Sequence, residues 1–281
     1  MSTITTLPDT RPAATQSPVP RLTLGRVITS EWIKLRSLRS TWYMMAGLFG
    51  VIIAFGLLSA AVATGDVSTA AGGPPGFSGA SPIVTVLSGA RFGLLLVAVF
   101  GVMVGDREYS SGLIRTTLAA VPSRLPVLVG KLTVFVAIVT PVVLTATIVA
   151  FFGGTAILSG AGVTSVAWSD PGVAGAVLGT VGYLIGIGVL GVALGMLFRG
   201  IGAGIGVLIG GILFVPTLMT ALLPDSWDSV LKYLPSNAGQ AFSSVDAGAS
   251  LLGYWPGVAV FSAWVALAVG AAAWSLKQRD S

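Results

Sequence analysis

The sequence of 281 residues contains no cysteine and no histidine. Without cysteine it can form neither a disulfide framework nor a thiolate metal site, and without histidine it lacks the usual metal ligand and proton shuttle. Charge is also scarce, because only 9% of the residues are Asp, Glu, Lys or Arg, whereas an ordinary soluble domain has about 25%. A chain with so little charge cannot cover itself with a water-compatible surface.

The residues that do occur are mainly apolar, with 54% of the sequence hydrophobic. They form runs of about 20 residues, the length that an α-helix needs to cross a hydrocarbon core of about 30 Å. The runs are apolar on every face, whereas the strands of a membrane barrel alternate apolar and polar residues. The sequence therefore predicts an all-α integral membrane protein with a six-span transmembrane domain over residues 42–281. The predicted spans are residues 42–64, 83–105, 128–152, 172–197, 201–223 and 255–275.

Two segments precede the first predicted span. Residues 1–20 contain four prolines and no apolar run, so we expect a disordered cytoplasmic tail. Residues 21–41 predict an amphipathic interfacial helix whose bases meet anionic headgroups while Trp32 lies at the membrane interface. Its apolar arc consists of Leu24, Val27, Ile28, Trp32, Leu35 and Leu38. Glu31 falls on or near this arc, which suits a protein contact better than a lipid contact.

The positions of the basic residues predict the topology. With the N-terminus in the cytoplasm, only Lys232 lies outside and only Arg91 deep within a span, which leaves thirteen of the 15 Lys and Arg residues on the cytoplasmic side or at its membrane boundary. Basic residues are retained on that side during insertion, so both termini are predicted to be cytoplasmic. The net charge of +5 then reflects topology, and no nucleic-acid partner is expected.

The loop between the second and third predicted spans, "GDREYSSGLIRTTLAAVPSR" (residues 105–124), concentrates five charged residues in a chain that has few. Apolar residues recur at helical spacing from Leu113 to Val121, and Pro122 ends the pattern, which predicts a short amphipathic cytoplasmic helix. The loop is longer than a simple connection requires. Two interpretations follow from the residues alone: a docking surface for a cytosolic partner, or an interfacial loop on the lipid headgroups.

Two motifs carry a family resemblance. "SEWIKLRSLRSTW" (residues 30–42), followed by "REYSSGLIRTTLAAVPSR" (residues 107–124), resembles the membrane (permease) subunit of a bacterial type-2 ABC transporter, particularly the small six-span permeases of exporters. The resemblance covers nearly all of the chain after residue 20. It implies a subunit in the plasma membrane that pairs with a second permease copy, as a homodimer or a related heterodimer.

The resemblance also implies a separate cytosolic ATPase subunit, which holds the ATP and magnesium. In this family the N-terminal helix and the loop between the second and third spans contact that ATPase, and the loop acts as a coupling helix. By position, the residues that match the entry helix are Glu31, Lys34 and Arg36. Those that match the loop are Glu108, Tyr109, Gly112, Arg115, Thr116, Pro122 and Arg124.

The chain has no nucleotide-binding loop of its own, because the pattern G-x-x-x-x-G-K-[ST] does not occur. Its one Gly-Lys pair, Gly130 and Lys131, is followed by Leu132 instead of a hydroxyl that could bind magnesium. "GIGVLG" (residues 186–191) matches G-x-G-x-x-G but lies inside an apolar helix with no preceding strand. ATP hydrolysis is therefore expected on the partner, and this chain is not predicted to be an enzyme.

Arg91 is the one charge deep inside a predicted span, roughly 13 Å from its outer end if the helix starts near Pro82. Insertion scales assign about 2.5–3.5 kcal/mol to a central arginine, so its side chain needs a polar environment. In one interpretation Arg91 lines the translocation path and meets an anionic group of the substrate. In the other, the helix begins later and Arg91 snorkels to the interface.

Three further expectations remain open at this level. Glycines four residues apart, such as Gly191 with Gly195 and Gly206 with Gly210, indicate close helix packing, either within the subunit or at a dimer seam. Between the fifth and sixth spans, a short amphipathic helix is predicted ahead of Pro235.

The alternative function is a secondary transporter or channel without an ATPase. Such proteins usually place carboxylates near the midplane, and no predicted span contains one.

Overall fold

The computed structural model describes residues 23–65, 81–110, 125–245 and 251–278. This part of the chain is helical and contains no strand, which confirms the prediction of an all-α fold. Its α-helices are α1 (Leu24–Ser37), α2 (Arg39–Ala63), α3 (Pro82–Val86), α4 (Gly89–Ser110), α5 (Leu125–Gly160), α6 (Val173–Phe198), α7 (Ile201–Ile209), α8 (Val215–Leu222), α9 (Asp228–Leu231), α10 (Pro235–Ser243) and α11 (Tyr254–Gln278). A π-helical turn (Gly210–Phe214) joins α7 to α8, and a 3-10 turn (Asp225–Trp227) precedes α9.

Six helices of the described part are long and apolar enough to span a membrane, as the sequence predicts. They are α2, α4, α5, α6, the continuous stretch from α7 to α8, and α11. The helix α5 has 36 residues, so it is roughly 54 Å long at about 1.5 Å per residue. It therefore exceeds the hydrocarbon core of about 30 Å and extends beyond it.

The second predicted span, residues 83–105, is not one continuous helix. The structure has the short helix α3, a turn at Leu87 and Ser88, and then α4 from Gly89. The turn packs against α2: the Ser88 hydroxyl donates a hydrogen bond to the Phe55 carbonyl oxygen at 3.3 Å. A Cβ at residue 89 would overlap the Ile52 carbonyl oxygen, so only glycine fits this approach.

The core lies where α4 packs against α6, through glycines on both helices. A Cβ at Gly101 would overlap the Gly188 carbonyl oxygen, and one at Gly105 would overlap that of Val192. Since residue numbers rise together on both sides, the two helices run parallel. The predicted Gly191–Gly195 pair faces α4 at this interface, so it serves packing within the subunit.

The stretch from α7 to α8 is much less buried than α4 or α6. It follows α6 after a two-residue turn at Arg199 and Gly200, where Arg199 has a left-handed φ of 53°. Only 11% of its most apolar part is buried, against 67% of that of α4. A Cβ at Gly206 or Gly210 would have no atom within 4 Å in the described residues, unlike one at Gly191. This stretch therefore leaves an open, small-residue face on the subunit.

Candidate functional site

The first candidate region is the junction between α1 and the start of α5. Val27 of α1 and Val127 of α5 form a small buried cluster. A Cβ at Gly130 would lie 3.1 Å from Val27 Cγ1, so the missing side chain allows the two helices to approach closely. We call the contact made by Val27, Glu31, Val127, Gly130 and Lys131 the α1–α5 junction.

The α1–α5 junction contains a buried ion cluster. The Glu31 residue is only 2% exposed. Its Oε1 accepts a hydrogen bond from Lys34 Nζ at 2.6 Å, and its Oε2 accepts one from Lys131 Nζ at 3.2 Å. The Lys131 side chain is as buried as the Glu31 side chain, at 3% exposure, whereas that of Lys34 is 43% exposed. One carboxylate thus bridges two ammonium groups, and one of these belongs to another helix.

The cluster fixes α1 to α5 in one geometry. A buried charge is tolerated only when it is paired, and removing one partner of a buried pair destabilises a protein by about 3–5 kcal/mol. Glu31 and Lys131 are 100 residues apart in sequence, so their pairing is tertiary. Any movement of α1 is therefore transmitted to α5 unless the pair separates.

Sequence reasoning missed Lys131 as a member of this cluster. It selected Glu31 and Lys34 by resemblance and considered Lys131 only as part of a failed nucleotide-binding pattern. A signal was present: Glu31 falls on an apolar arc and needs a counter-charge, while Lys131 lies in an otherwise apolar helix. Spacing alone could not join the two residues, because they come from distant parts of the chain.

The remaining predicted coupling residues are placed as follows. Arg36 is exposed and does not share the buried carboxylate; its carbonyl oxygen accepts a hydrogen bond from Trp42 Nε1 at 3.0 Å, at the bend between α1 and α2. Glu108 and Tyr109 lie in the last turn of α4, with side chains outside the described part. Outside the described residues lie the tail over residues 1–20 and Gly112, Arg115, Thr116, Pro122 and Arg124. The coupling role of the loop stays a prediction.

A buried acid in α4 was also missed. Asp106 is 2% exposed and lies just after the end predicted for the second span. Its backbone nitrogen faces α6, where a Cβ at Gly195 would be 3.1 Å away. The sequence analysis placed this residue in the cytoplasmic loop, because periodicity does not fix the end of a helix to within one turn.

The second candidate region is a pocket of about 520 Å³ beside Arg91. Four elements form its walls: the broken helix pair α3–α4, the helix α6, the π-helical turn, and α10. Arg91 is exposed and lies in the first turn of α4. Because α4 begins only at Gly89, Arg91 lies at the end of this helix and not well inside it as the sequence predicts. The residue nevertheless lines a cavity. Its proposed role in translocation stays a prediction.

A polar wall of the pocket comes from α10. Ser236, Gln240 and Ser243 follow one another at spacings of four and three residues and therefore share one face of that helix, which lines the pocket. Glycines hold α10 close to α6: a Cβ at Gly239 would overlap the Tyr183 ring, and one at Gly179 the Phe242 carbonyl oxygen. The short helix predicted ahead of Pro235 corresponds to α9, whereas periodicity does not predict α10, which begins at that proline.

Comparison of the chain with protein-family models, with curated proteins and with solved structures finds no match.

Proposed function

We propose that the chain is the permease subunit of an ATP-driven type-2 ABC transporter, an exporter in the plasma membrane with cytoplasmic termini. A separate ATPase subunit, with its ATP and magnesium, supplies the energy. The observation that supports this proposal best is the buried Glu31–Lys131 pair. It attaches the predicted entry helix to the helix that follows the predicted coupling loop.

The position of the Glu31–Lys131 pair near the start of α5 suits mechanical coupling. The loop enters α5 at Leu125, and Lys131 lies only about two turns further along that helix. The loop joins the start of α5 through the chain, and α1 is attached near the same end of α5 through the pair of Glu31 with Lys131. Both segments expected to contact the ATPase are therefore connected to one end of α5. Because α5 is longer than the membrane is thick, a push at its base is passed across the bilayer as a rigid-body movement.

The second permease copy is proposed to pack on the open face of α7. Gly202, Gly206 and Gly210 recur every four residues, and a Cβ at each would have no neighbour within 4 Å among the described residues. Small residues at this spacing let helices approach closely in lipid, where no hydrophobic effect drives association. A homodimer and a related heterodimer both fit this face.

Affinity isolation from native membranes tests the proposal. The wild-type chain should co-isolate with a P-loop protein, and the isolated complex should hydrolyse ATP. Charge reversal at the loop, Glu108→Lys or Arg115→Glu, should release that protein. A matched reversal on the side predicted to be external, Lys232→Glu, should retain it.

The proposal fails if no nucleotide-binding protein ever co-isolates and no ATPase activity depends on the chain. Transport that persists in ATP-depleted vesicles under an ion gradient would instead support the secondary-transporter alternative.

A further inference from the structure

The pocket beside Arg91 combines a cation, hydrogen-bonding groups and an apolar wall. Its volume of about 520 Å³ lies within the range of about 300–1,000 Å³ that is usual for small-molecule sites. The lining contains Arg91 and the polar face of α10, together with aliphatic side chains of α4, α6 and the π-helical turn. Among the described residues that line it there is no Asp or Glu.

On α4 and α6, a polar and an aliphatic lining residue of the pocket lie one turn apart. Because the two helices run parallel with Gly101 against Gly188 and Gly191, Arg91 lies at about the level of Thr180 and Leu94 at about that of Leu184. Aliphatic lining also comes from α3 and the turn after it, through Ile83, Val84 and Leu87. The cation therefore lies in a cavity with aliphatic side chains close by.

Several polar groups of the pocket lining are available to a ligand. Within the described residues, the Arg91 guanidinium, the Gln240 side-chain amide and the Ser243 hydroxyl have no hydrogen-bond or ion-pair partner. In contrast, the Thr180 hydroxyl is occupied, since it donates to the Ala176 carbonyl oxygen at 2.8 Å. The free groups are one cation and two neutral hydrogen-bonding side chains, which together suit a single anionic group.

The aliphatic lining of the pocket includes an unusual backbone feature. Ile212 and Leu213 line the pocket from the π-helical turn (Gly210–Phe214), which interrupts the stretch from α7 to α8. Such single π-helical turns are frequent at functional sites. The break between α3 and α4 also lines the pocket. Both irregular segments of these two spans thus border the same cavity.

We propose that this pocket binds an anionic amphiphile. Its carboxylate or phosphate pairs with Arg91 and accepts hydrogen bonds from Gln240 and Ser243, and its apolar part lies against Leu94, Leu184 and Ile212. A guanidinium is suited to this role because it presents a planar fork of donors to two oxygens of one anionic group. A cationic ligand is disfavoured by Arg91, and a wholly polar one by the aliphatic wall. Ligand binding at this pocket needs no ATPase and does not depend on the proposed function. The further interpretation of the ligand as the substrate of an exporter rests on that function.

A binding measurement tests the site without transport. The full chain is placed in nanodiscs of neutral phosphatidylcholine and titrated with dansylaminoundecanoic acid, a fluorescent single-chain carboxylate. Arg91→Gln should weaken binding about tenfold or more, as expected for the loss of a charge-assisted hydrogen bond. Arg91→Lys should recover part of the affinity, and Gln240→Leu should weaken binding less than Arg91→Gln does. The matched control Lys232→Gln removes the other cation near α10 and should bind as the wild type does.

Two further arms sharpen the assignment. The corresponding uncharged alcohol should bind the wild type about as weakly as the acid binds Arg91→Gln. The titration is repeated in nanodiscs that contain anionic phosphatidylglycerol. Weaker probe binding there would identify a bilayer lipid as the occupant, whereas unchanged probe binding would identify a free amphiphile. Both results support the site. Equal affinity of wild type and Arg91→Gln for the acid, or equal affinity of the wild type for acid and alcohol, overturns it. Because no ATPase is present, failure here leaves the co-isolation test of the proposed function untouched.

Discussion

Charged side chains have opposite surroundings in the α1–α5 junction and in the Arg91 pocket. At the junction, Glu31 and Lys131 are both almost completely buried and are paired with each other. In the pocket, Arg91 is exposed to a cavity of about 520 Å³ and has no partner within the described residues. A compensated buried charge holds two helices together, whereas an uncompensated charge in a cavity is available to a ligand. We therefore assign a mechanical role to the first region and a binding role to the second.

The largest effect is expected from Glu31→Gln, which removes the negative charge from the buried Glu31–Lys131 pair. The substitution should lower the free energy of unfolding by about 3–5 kcal/mol, the usual loss when one partner of a buried pair is removed. Equilibrium unfolding in mixed micelles measures it. The control is Arg36→Gln on the same helix, which removes an exposed charge and should change stability by less than about 0.5 kcal/mol. Equal free energies of unfolding for Glu31→Gln and Arg36→Gln would show that the buried pair does not stabilise the α1–α5 junction.

A smaller effect is expected from Gly130→Val. The added side chain would meet Val27 and push α1 away from α5, at about 1–3 kcal/mol for overpacking. Equilibrium unfolding in mixed micelles measures this loss with Val27 in place. Gly25→Ala on the same helix is the control and should change the free energy of unfolding by less than about 0.5 kcal/mol, because a Cβ at Gly25 would have no neighbour within 4 Å. Unchanged stability of Gly130→Val would contradict the packing.

A moderate effect confined to the pocket is expected from Gly239→Ala. A Cβ there would overlap the Tyr183 ring, so either this ring or α10 must move, and both line the pocket. The dansylaminoundecanoic acid affinity should fall severalfold. Gly182→Ala on α6 serves as the control, because a Cβ there would meet no atom within 4 Å. Unchanged binding in Gly239→Ala would contradict a ligand site at the contact between α6 and α10.

The smallest effect on stability is expected from Arg91→Gln. An exposed charge contributes little to folding, so the free energy of unfolding should change by less than about 0.5 kcal/mol while ligand binding weakens about tenfold or more. This pattern is the reverse of that expected for Glu31→Gln. Thermal unfolding and probe titration on the same preparation measure both quantities. Strong destabilisation by Arg91→Gln would mean that this residue, too, has a structural partner.

Much of the helical framework follows from the sequence, because apolar runs long enough to cross a bilayer have few alternatives. Local interruptions are harder to predict. The turn before Gly89 exists because the chain there packs against Ile52 and Phe55 of α2, a contact between segments that are distant in sequence. The π-helical turn at Gly210–Phe214 likewise has no counterpart in hydropathy, since the whole stretch is apolar.

The candidate regions were only half predictable for the same reason. Glu31 was selected from its motif and its apolar arc, but its partner Lys131 comes from 100 residues further along. Arg91 was selected because a charge in a span is unusual. Its pocket also needs α10, whose serines and glutamine carry no signal until glycine contacts bring that helix against α6. Pairings of this kind are set by tertiary packing.

Site-directed labelling of the predicted coupling loop tests the topology on which the proposed function depends. Single cysteines are introduced at Ser111 in the loop and at Ser229 in α9, in a chain that has none of its own. Intact cells are then treated with a membrane-impermeant maleimide. We predict that Ser229→Cys is labelled in intact cells and that Ser111→Cys is labelled only after permeabilisation. Labelling of Ser111→Cys in intact cells would place the loop outside and would contradict its docking to a cytosolic ATPase.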